Sequence, residues 1–385
     1  MSAHFKPVPM LPAHQVPGGR GMVLVDLRSP EEFAKDHIPG AVNVPLFSGL
    51  QRSVVGYLFK QVSSDAALEK GQEFAAGRVD ELVREVGRAA GWQPPDGDIS
   101  AFVGQLTSGG MADMEVLLRP EPIERPDADA VVLHCWRGGL RSRSVVGLLR
   151  LLGLERAVGL QGGYKAYRQG VLDGLAQWHG PRPYLLHGYT GVGKTLVLRE
   201  IERLRPGLTL DLEGLAGHRS SLLGMVGLEP CTQKTFDSRL HHALQSRAPG
   251  PMVVEGESRK VGDVVLPSGL WGAMTGGVGI WLEADTEVRV KVLMDDYLGR
   301  PQNREPLRRQ LVALQRFLPG DVDWLGLFDS RREPELVAEL LHQYYDPLYS
   351  QTATAQTCEV RFDTADPTAA AKAVIDWVEA REKRA

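Results

Sequence analysis

The eight residues "GYTGVGKT" (188–195) constrain the fold more than any other stretch. They fit G-x-x-x-x-G-K-[ST] at every defined position. Before them runs the apolar "PYLLHG", and after them "GKTLVLREIERL" places Val197, Leu198, Ile201 and Leu204 on one helical face. A strand, a glycine-rich loop and a helix in that order build a parallel sheet. Gly188, Gly191 and Gly193 let backbone N–H groups turn inward as an anion nest at the helix N-terminus. Lys194 would reach the terminal phosphates, and Thr195 could hold a metal such as Mg2+. The motif specifies a phosphate group and not its carrier, because any diphosphate suits the nest as well as ATP does.

Around this loop the sequence offers charged partners. Glu255 and Glu257 close the run "PMVVEGE", where such folds place a carboxylate that orients metal or water, and Arg259 follows. "DLEGLAGHRSS" (211–221) supplies Asp211, Glu213, His218, Arg219 and Ser221 after the strand-like "GLTL". Clustering after strand ends favours function for these residues over surface pairing. Farther on, "RPQNREPLRRQLVALQR" carries Arg300, Arg304, Arg308, Arg309 and Arg316 against one acidic neighbour, Glu305. It is the candidate for nucleic-acid phosphate contacts, the alternative being a solvated helix face.

The first half also alternates strands and helices. "MVLVDL" (22–27), "GAVNVP" (40–45), "AVVLHC" (130–135) and "RAVGLQGG" read as strands. "SPEEFAKDH" reads as a helix capped by Ser29, "RSVVGLLRLLG" as one ending at Gly153, and "YKAYRQGVLDGLAQW" as a closing helix. Residues 50–90 look helical, and the Pro-, Gly- and Asp-rich 91–129 reads as an irregular insertion. "HGPRPYL" (179–185) marks the boundary, giving domains 1–178 and 182–385, a comfortable division of 385 residues. Both halves are α/β with mainly parallel sheets.

Composition narrows the class. No run of eighteen apolar residues occurs and "MSAHFKPVPMLPAH" lacks the order of a signal peptide, so the expectation is a cytoplasmic protein without a membrane partner. Net charge is −4, so nucleic-acid binding has to rest on local patches. Three scattered cysteines, Cys135, Cys231 and Cys358, make neither a disulfide framework nor a structural metal site. No tightly bound cofactor is expected.

Cys135 differs from the other two. In "HCWRGGLRSRS" (134–144) it stands at a strand end, glycines follow that let N–H groups curl around it, a helix begins near Arg141, and Arg137 and Arg141 add charge. These features depress a thiol pKa and cradle an anion. The string satisfies the H-C-x-x-G-x-x-R-[ST] pattern of cysteine-dependent phosphatases and equally suits a rhodanese loop, which carries sulfur or selenium on the cysteine. Upstream, "LVDLRSPEEFAKDHIPGAVNVP", with Asp26 and Arg28, resembles the rhodanese N-terminal signature.

A rhodanese-like parallel-sheet domain followed by a P-loop NTPase-like α/β domain, with "CWRGGLRS", "LQGGYKAYR", "GYTGVGKT", "DLEGLAGHRSS", "EGESRKVGDVVLP" and "YYDPLY", resembles the tRNA 2-selenouridine synthases from about residue 20 to about 350. The resemblance implies a transferase that alkylates the sulfur of 2-thiouridine at the anticodon wobble position with geranyl diphosphate. Selenium from selenophosphate then replaces the S-geranyl group. It further implies tRNA as a partner, a selenophosphate-supplying enzyme nearby, diphosphate binding by Lys194, Arg219 and Arg259, and selenium handling by Cys135 in an exposed cradle with Arg137 and Arg141. The two sites would face a common cleft. Gln51 departs from the family pattern, which has an acidic residue before Arg52. Two other readings are a plain rhodanese-type sulfurtransferase with a regulatory P-loop domain and a cysteine phosphatase; a non-enzymatic RNA-binding scaffold is a third.

Overall fold

The computed structural model describes residues 7–18, 21–97, 99, 110–221, 223–256, 258–315, 318, 320, 322–347 and 357–384. The chain divides into two compact units, Met1–Gly174 and Leu175–Ala385. Both are α/β with parallel central sheets, as the alternating pattern requires.

The first unit holds β1 (Val8–Leu11), β2 (Val23–Asp26), β3 (Val42–Asn43), β4 (Pro120–Pro122), β5 (Val131–His134) and β6 (Ala157–Leu160) in the order β3-β2-β5-β6-β1-β4, every pair parallel. Helices α1 (Pro30–Lys35), α2 (Gly49–Gln61), α3 (Ser64–Ala76), α4 (Val79–Ala90), α5 (Gly110–Leu117), α6 (Leu140–Leu151) and α7 (Gly163–Ala176) connect them. Ser29 caps α1 through a capping box with Glu32, an arrangement that contributes about 1 kcal/mol. Leu82, Val83 and Val86 of α4 and Val146 and Leu149 of α6 are fully buried with Val25, Val131 and Leu133 of the sheet. Asp26 lies opposite both Asn43 and His134, so the C-terminal ends of β2, β3 and β5 form one edge, and Cys135 stands on it.

In this unit the structure adds two strands to those legible in the sequence. β1 and β4 complete one side of this sheet. Segment 91–129, read as irregular, contains α5 and β4, while residues 98 and 100–109 lie outside the described residues.

The second unit contains β7 (Tyr184–His187), β8 (Thr209–Leu210), β9 (Val253–Glu255), β12 (Val278–Glu283) and β13 (Val360–Asp363) in the parallel order β13-β12-β7-β9-β8. A hairpin of β10 (Lys260–Val261) and β11 (Val264–Val265) projects from it. Helix α8 (Lys194–Leu204) follows the glycine-rich loop, α9 (Leu212–Ala216) and α10 (Gln233–Ser246) lie between β8 and β9, and α11 (Ser268–Thr275) precedes β12. Helices α12 (Thr286–Leu298), α13 (Arg304–Leu314), α14 (Trp324–Asp329) and α15 (Glu333–Leu340) pack about their own core of Leu293, Leu307, Leu311, Trp324, Phe328 and Leu336. Helix α16 (Pro367–Glu382) packs Val374 and Val378 against the sheet core. Among the described residues no helix is long and apolar enough to cross a membrane.

Candidate functional site

Each unit presents one site at the C-terminal ends of its strands. In the first, Cys135 leaves β5 and enters a tight loop that ends at Gly139, the N-cap of the twelve-residue α6. Gly138 makes the turn with φ +63°, and a Cβ there would meet the Leu160 carbonyl oxygen at 2.4 Å. Cys135 Sγ lies 3.4 Å from the Ser142 hydroxyl, which donates to the Gly139 carbonyl. Burial works against the thiolate. The charge of Arg141, the Ser142 hydroxyl and the N–H groups of Arg137 and Gly139 together outweigh it and hold the thiol below its ordinary value. Burial raises Cys358 instead.

The exposed cradle that the resemblance implies has a buried thiol at its centre. Cys135 is 2% exposed, on the floor of its loop, and the exposed group is Arg137. The loop takes its shape from the α6 N-terminus, whose N–H groups have to surround whatever they bind.

A buried network stands behind this loop. Arg28 donates to both oxygens of Asp26, and its Nη2 donates to the Asp36 carbonyl at 2.9 Å. The same guanidinium lies 3.7 Å over the Tyr164 ring, and the Tyr164 hydroxyl donates to the Asp36 carboxylate. The Tyr164 N–H donates to the Cys135 carbonyl at 3.0 Å and that of Lys165 to Trp136 at 2.9 Å. His134 is wholly buried with Nδ1 3.8 Å from Asp26, and neither ring nitrogen has a hydrogen-bond partner among the described residues. Burial pushes its pKa down to about 4 despite Asp26, so the ring is neutral at neutral pH.

In the second unit, Gly188, Gly191 and Gly193 all take positive φ between β7 and α8. Lys194 Nζ donates to the Gly188 carbonyl at 3.1 Å. The Thr195 hydroxyl donates to Glu255 Oε1 at 2.8 Å and lies 3.3 Å from Glu213 Oε2, so Thr195, Glu213 and Glu255 converge. Glu255, at the end of β9, is fully buried. Beside it, His187 is held neutral at neutral pH, its pKa lowered to about 4 by burial and by Lys194.

Other candidates have different surroundings. Asp211 caps α9, accepting from the Gly214 N–H at 2.6 Å. Arg219 donates to the carbonyls of Val226 and Asp296 and lies 5.0 Å over the Tyr297 ring, while Ser221 Oγ is 3.1 Å from the Tyr297 hydroxyl. His218 abuts Gly262 in the hairpin turn, its pKa lowered by burial. Arg259 is exposed at the hairpin base, and Glu257 lies outside the described residues.

The arginine-rich segment also differs from its sequence reading, in which Glu305 is the only acidic neighbour. Arg304 pairs with Glu333, Arg308 makes two bonds to Asp329, and Arg309 reaches Glu305 at 3.9 Å. Folding brings carboxylates from 21 and 29 positions downstream against α13, which local charge counting cannot foresee. Arg300 is exposed, and Arg316 lies outside the described residues.

Two side chains that brace the glycine-rich loop escape sequence reasoning. Arg289 of α12 is 5% exposed, donates to the Thr190 carbonyl at 2.9 Å and forms a two-bond pair with Asp346. The Thr364 hydroxyl donates to the Val192 carbonyl at 2.6 Å. Asp346 falls within the "YYDPLY" motif, the one local signal, whereas Arg289 looks like any arginine on an amphipathic helix.

With both sites in view, comparison with known proteins is specific. A family model described as the tRNA 2-selenouridine synthase AAA domain matches residues 181–312, and a rhodanese-like domain model matches residues 14–77. The tRNA 2-selenouridine synthase of Pseudomonas syringae pv. syringae (strain B728a) is 31% identical over 371 residues, covering 88% of this chain and 90% of that one. That of Bordetella petrii is 32% identical, covering 86% and 87%, and that of Marinobacter nauticus 33% identical, covering 80% and 71%.

Proposed function

Because the chain belongs to the tRNA 2-selenouridine synthase family, we propose that its two sites divide one conversion on tRNA, wobble 2-thiouridine to 2-selenouridine. In the first step the thiocarbonyl sulfur attacks the first carbon of geranyl diphosphate. Diphosphate departs into the N–H nest of residues 188–195, where Lys194, Arg219 and Arg259 supply positive charge. Mg2+, bound with those phosphates, suits the oxygen set of Thr195, Glu213 and Glu255 and would neutralise charge on the leaving group. Alkylation makes the sulfur a better leaving group and C2 of the base more electrophilic.

In the second step the Cys135 loop holds selenophosphate, with N–H donors and Arg137 and Arg141 on its phosphate oxygens. Selenium bonds to C2, geranyl thiolate leaves, the Cys135 thiolate takes the phosphoryl group from selenium, and water then releases it from sulfur as phosphate. Selenium in selenophosphate is already at the selenide level, so the sequence is redox-neutral. The observation that carries this reading is the loop of N–H donors around a thiol of lowered pKa in a chain whose other unit has a glycine-rich loop with positive φ at Gly188, Gly191 and Gly193.

Nucleoside mass spectrometry of tRNA treated with two variants tests the division. Lys194→Ala is expected to leave 2-thiouridine unmodified, and Cys135→Ala to accumulate S-geranyl-2-thiouridine without selenouridine. Identical nucleoside profiles would overturn it. Rapid turnover of thiosulfate, with thiolated tRNA left untouched, would favour a plain sulfurtransferase. Aryl phosphate hydrolysis lost on Cys135→Ser would favour a phosphatase.

A further inference from the structure

Alkylation of 2-thiouridine on sulfur has a proton to place. The thiocarbonyl gains a bond to carbon, and the product is neutral only when the N3–H proton leaves the base. An acceptor beside the glycine-rich loop has to take it. The groups already placed there have other work. Lys194 donates to the Gly188 carbonyl, and the carboxylates of Glu213 and Glu255 face the Thr195 hydroxyl. Asp211 caps α9. His218 is enclosed between Gly224 and Gly262, where Cβ atoms on those glycines would meet its ring at 2.7 and 2.5 Å.

His187 is placed differently. It is the last residue of β7, directly before Gly188, and its half-buried ring has no hydrogen-bond partner among the described residues. Pairing of Leu186 with Glu255 sets Gly256 beside His187 on the neighbouring strand. A Cβ on Gly256 would meet ring Nδ1 and Cε1 at 2.3 Å, so the imidazole lies in the space a side chain there would fill. Gly256 is not among the glycines with positive φ, so the ring and not the backbone is what requires glycine at this position. The ring therefore stands at the C-terminal edge of the sheet, between the strand that leads into the nest and the strand that carries Glu255. Parallel sheets take their ligands at such an edge. Burial and the Lys194 charge keep the imidazole unprotonated at neutral pH, the state a base needs.

We propose that His187 is the general base of the alkylation step and accepts the N3 proton of 2-thiouridine as its sulfur attacks the geranyl carbon. This rests on the reading of the second unit as the alkylating site. The N3–H electron pair becomes the second bond between C2 and N3, and the thiocarbonyl pair becomes the new bond from sulfur to carbon. Diphosphate leaves with the electrons of its C–O bond, and the proton ends on the imidazole. A weak base suffices, because alkylation of the sulfur draws electron density from the base and acidifies N3–H. The imidazolium that forms then lies beside the departing diphosphate and complements its charge.

The test follows single-turnover S-geranylation of a thiolated anticodon stem-loop RNA by the full chain, with geranyl diphosphate saturating and selenophosphate omitted, read by nucleoside mass spectrometry. His187→Gln is expected to lower the rate about a hundredfold, within the range for loss of a general base. Calorimetric titration is expected to show wild-type affinity of this variant for inorganic diphosphate, which separates loss of a base from loss of the fold or the nest. Gly256→Ala, which displaces the ring, is expected to slow the otherwise wild-type protein and to add nothing to His187→Gln. Imidazole added to His187→Ala is expected to restore part of the rate. A His187→Gln rate within about twofold of wild type would overturn the proposal, since a general base contributes far more. So would a loss confined to diphosphate affinity. Wild-type protein that binds diphosphate yet leaves 2-thiouridine unalkylated would overturn the alkylation reading itself, and the role of His187 with it.

Discussion

Cys135 is a buried thiol whose ionisation depends on named neighbours, and this makes its chemistry testable at single residues. Arg141 is the strongest of the groups that favour the thiolate, so Arg141→Ala is expected to shift the pH profile of Cys135 alkylation upward and slow alkylation at pH 7. Gly138→Ala is expected to abolish that reactivity. It places a side chain at φ +63°, costing about 1–2 kcal/mol, and drives a methyl group onto the Leu160 carbonyl. His134 predicts a pH dependence of stability. Its folded pKa, about 4, lies below the ordinary histidine value near 6.5, so the unfolded chain binds the proton first as pH falls. The stabilisation is fully present above pH 6.5 and is lost toward pH 4, by at most roughly 3 kcal/mol. Denaturant unfolding of wild type and His134→Gln across this window is expected to show a shallower slope for the variant. Cys135 and its flanking arginines were legible because the reactive loop is contiguous in sequence. The Tyr164 clamp was not, because only folding brings the turn after β6 against the turn after β5.

Among elements, α12 links the glycine-rich loop to the segment after β8. Arg289, near its start, holds the Thr190 carbonyl, and Asp296 and Tyr297, two turns later, hold Arg219 and Ser221. Arg289→Ala removes a loop brace and leaves Asp346 without its bidentate partner, so it is expected to weaken diphosphate binding severalfold and to lower thermal stability. Arg289→Lys keeps the charge but not the fork and is expected to recover little. Calorimetric titration with inorganic diphosphate checks both. Strands β5, β6, β7 and β9 were legible because they are short, mainly apolar runs that are almost wholly buried on both faces, as parallel strands require. Strand β4 was not, since "PEP" is fully exposed and carries two prolines, a composition that speaks for an edge or a loop.

For the whole molecule, the proposed division of labour implies an intermediate that leaves one site before entering the other. A mixture of the Lys194→Ala and Cys135→Ala proteins is therefore expected to form 2-selenouridine that neither forms alone, measured by nucleoside mass spectrometry. Two α/β units were legible from the motifs and the strand alternation, whereas the partners that neutralise Arg304 and Arg308 come from distant helices and carry no local mark. The sheet order has a consequence for synthesis. Strand β1 lies between β6 and β4, so residues 8–11 pair with residues 120–122 and 159–160. At ribosomal speeds of about 5–20 residues per second, that strand spends on the order of ten seconds without neighbours. A strand made before the other strands of its sheet is thus among the last to be zipped into place, and the nascent unit remains an open sheet edge, a natural client for a chaperone at the tunnel exit, until residue 160 has emerged.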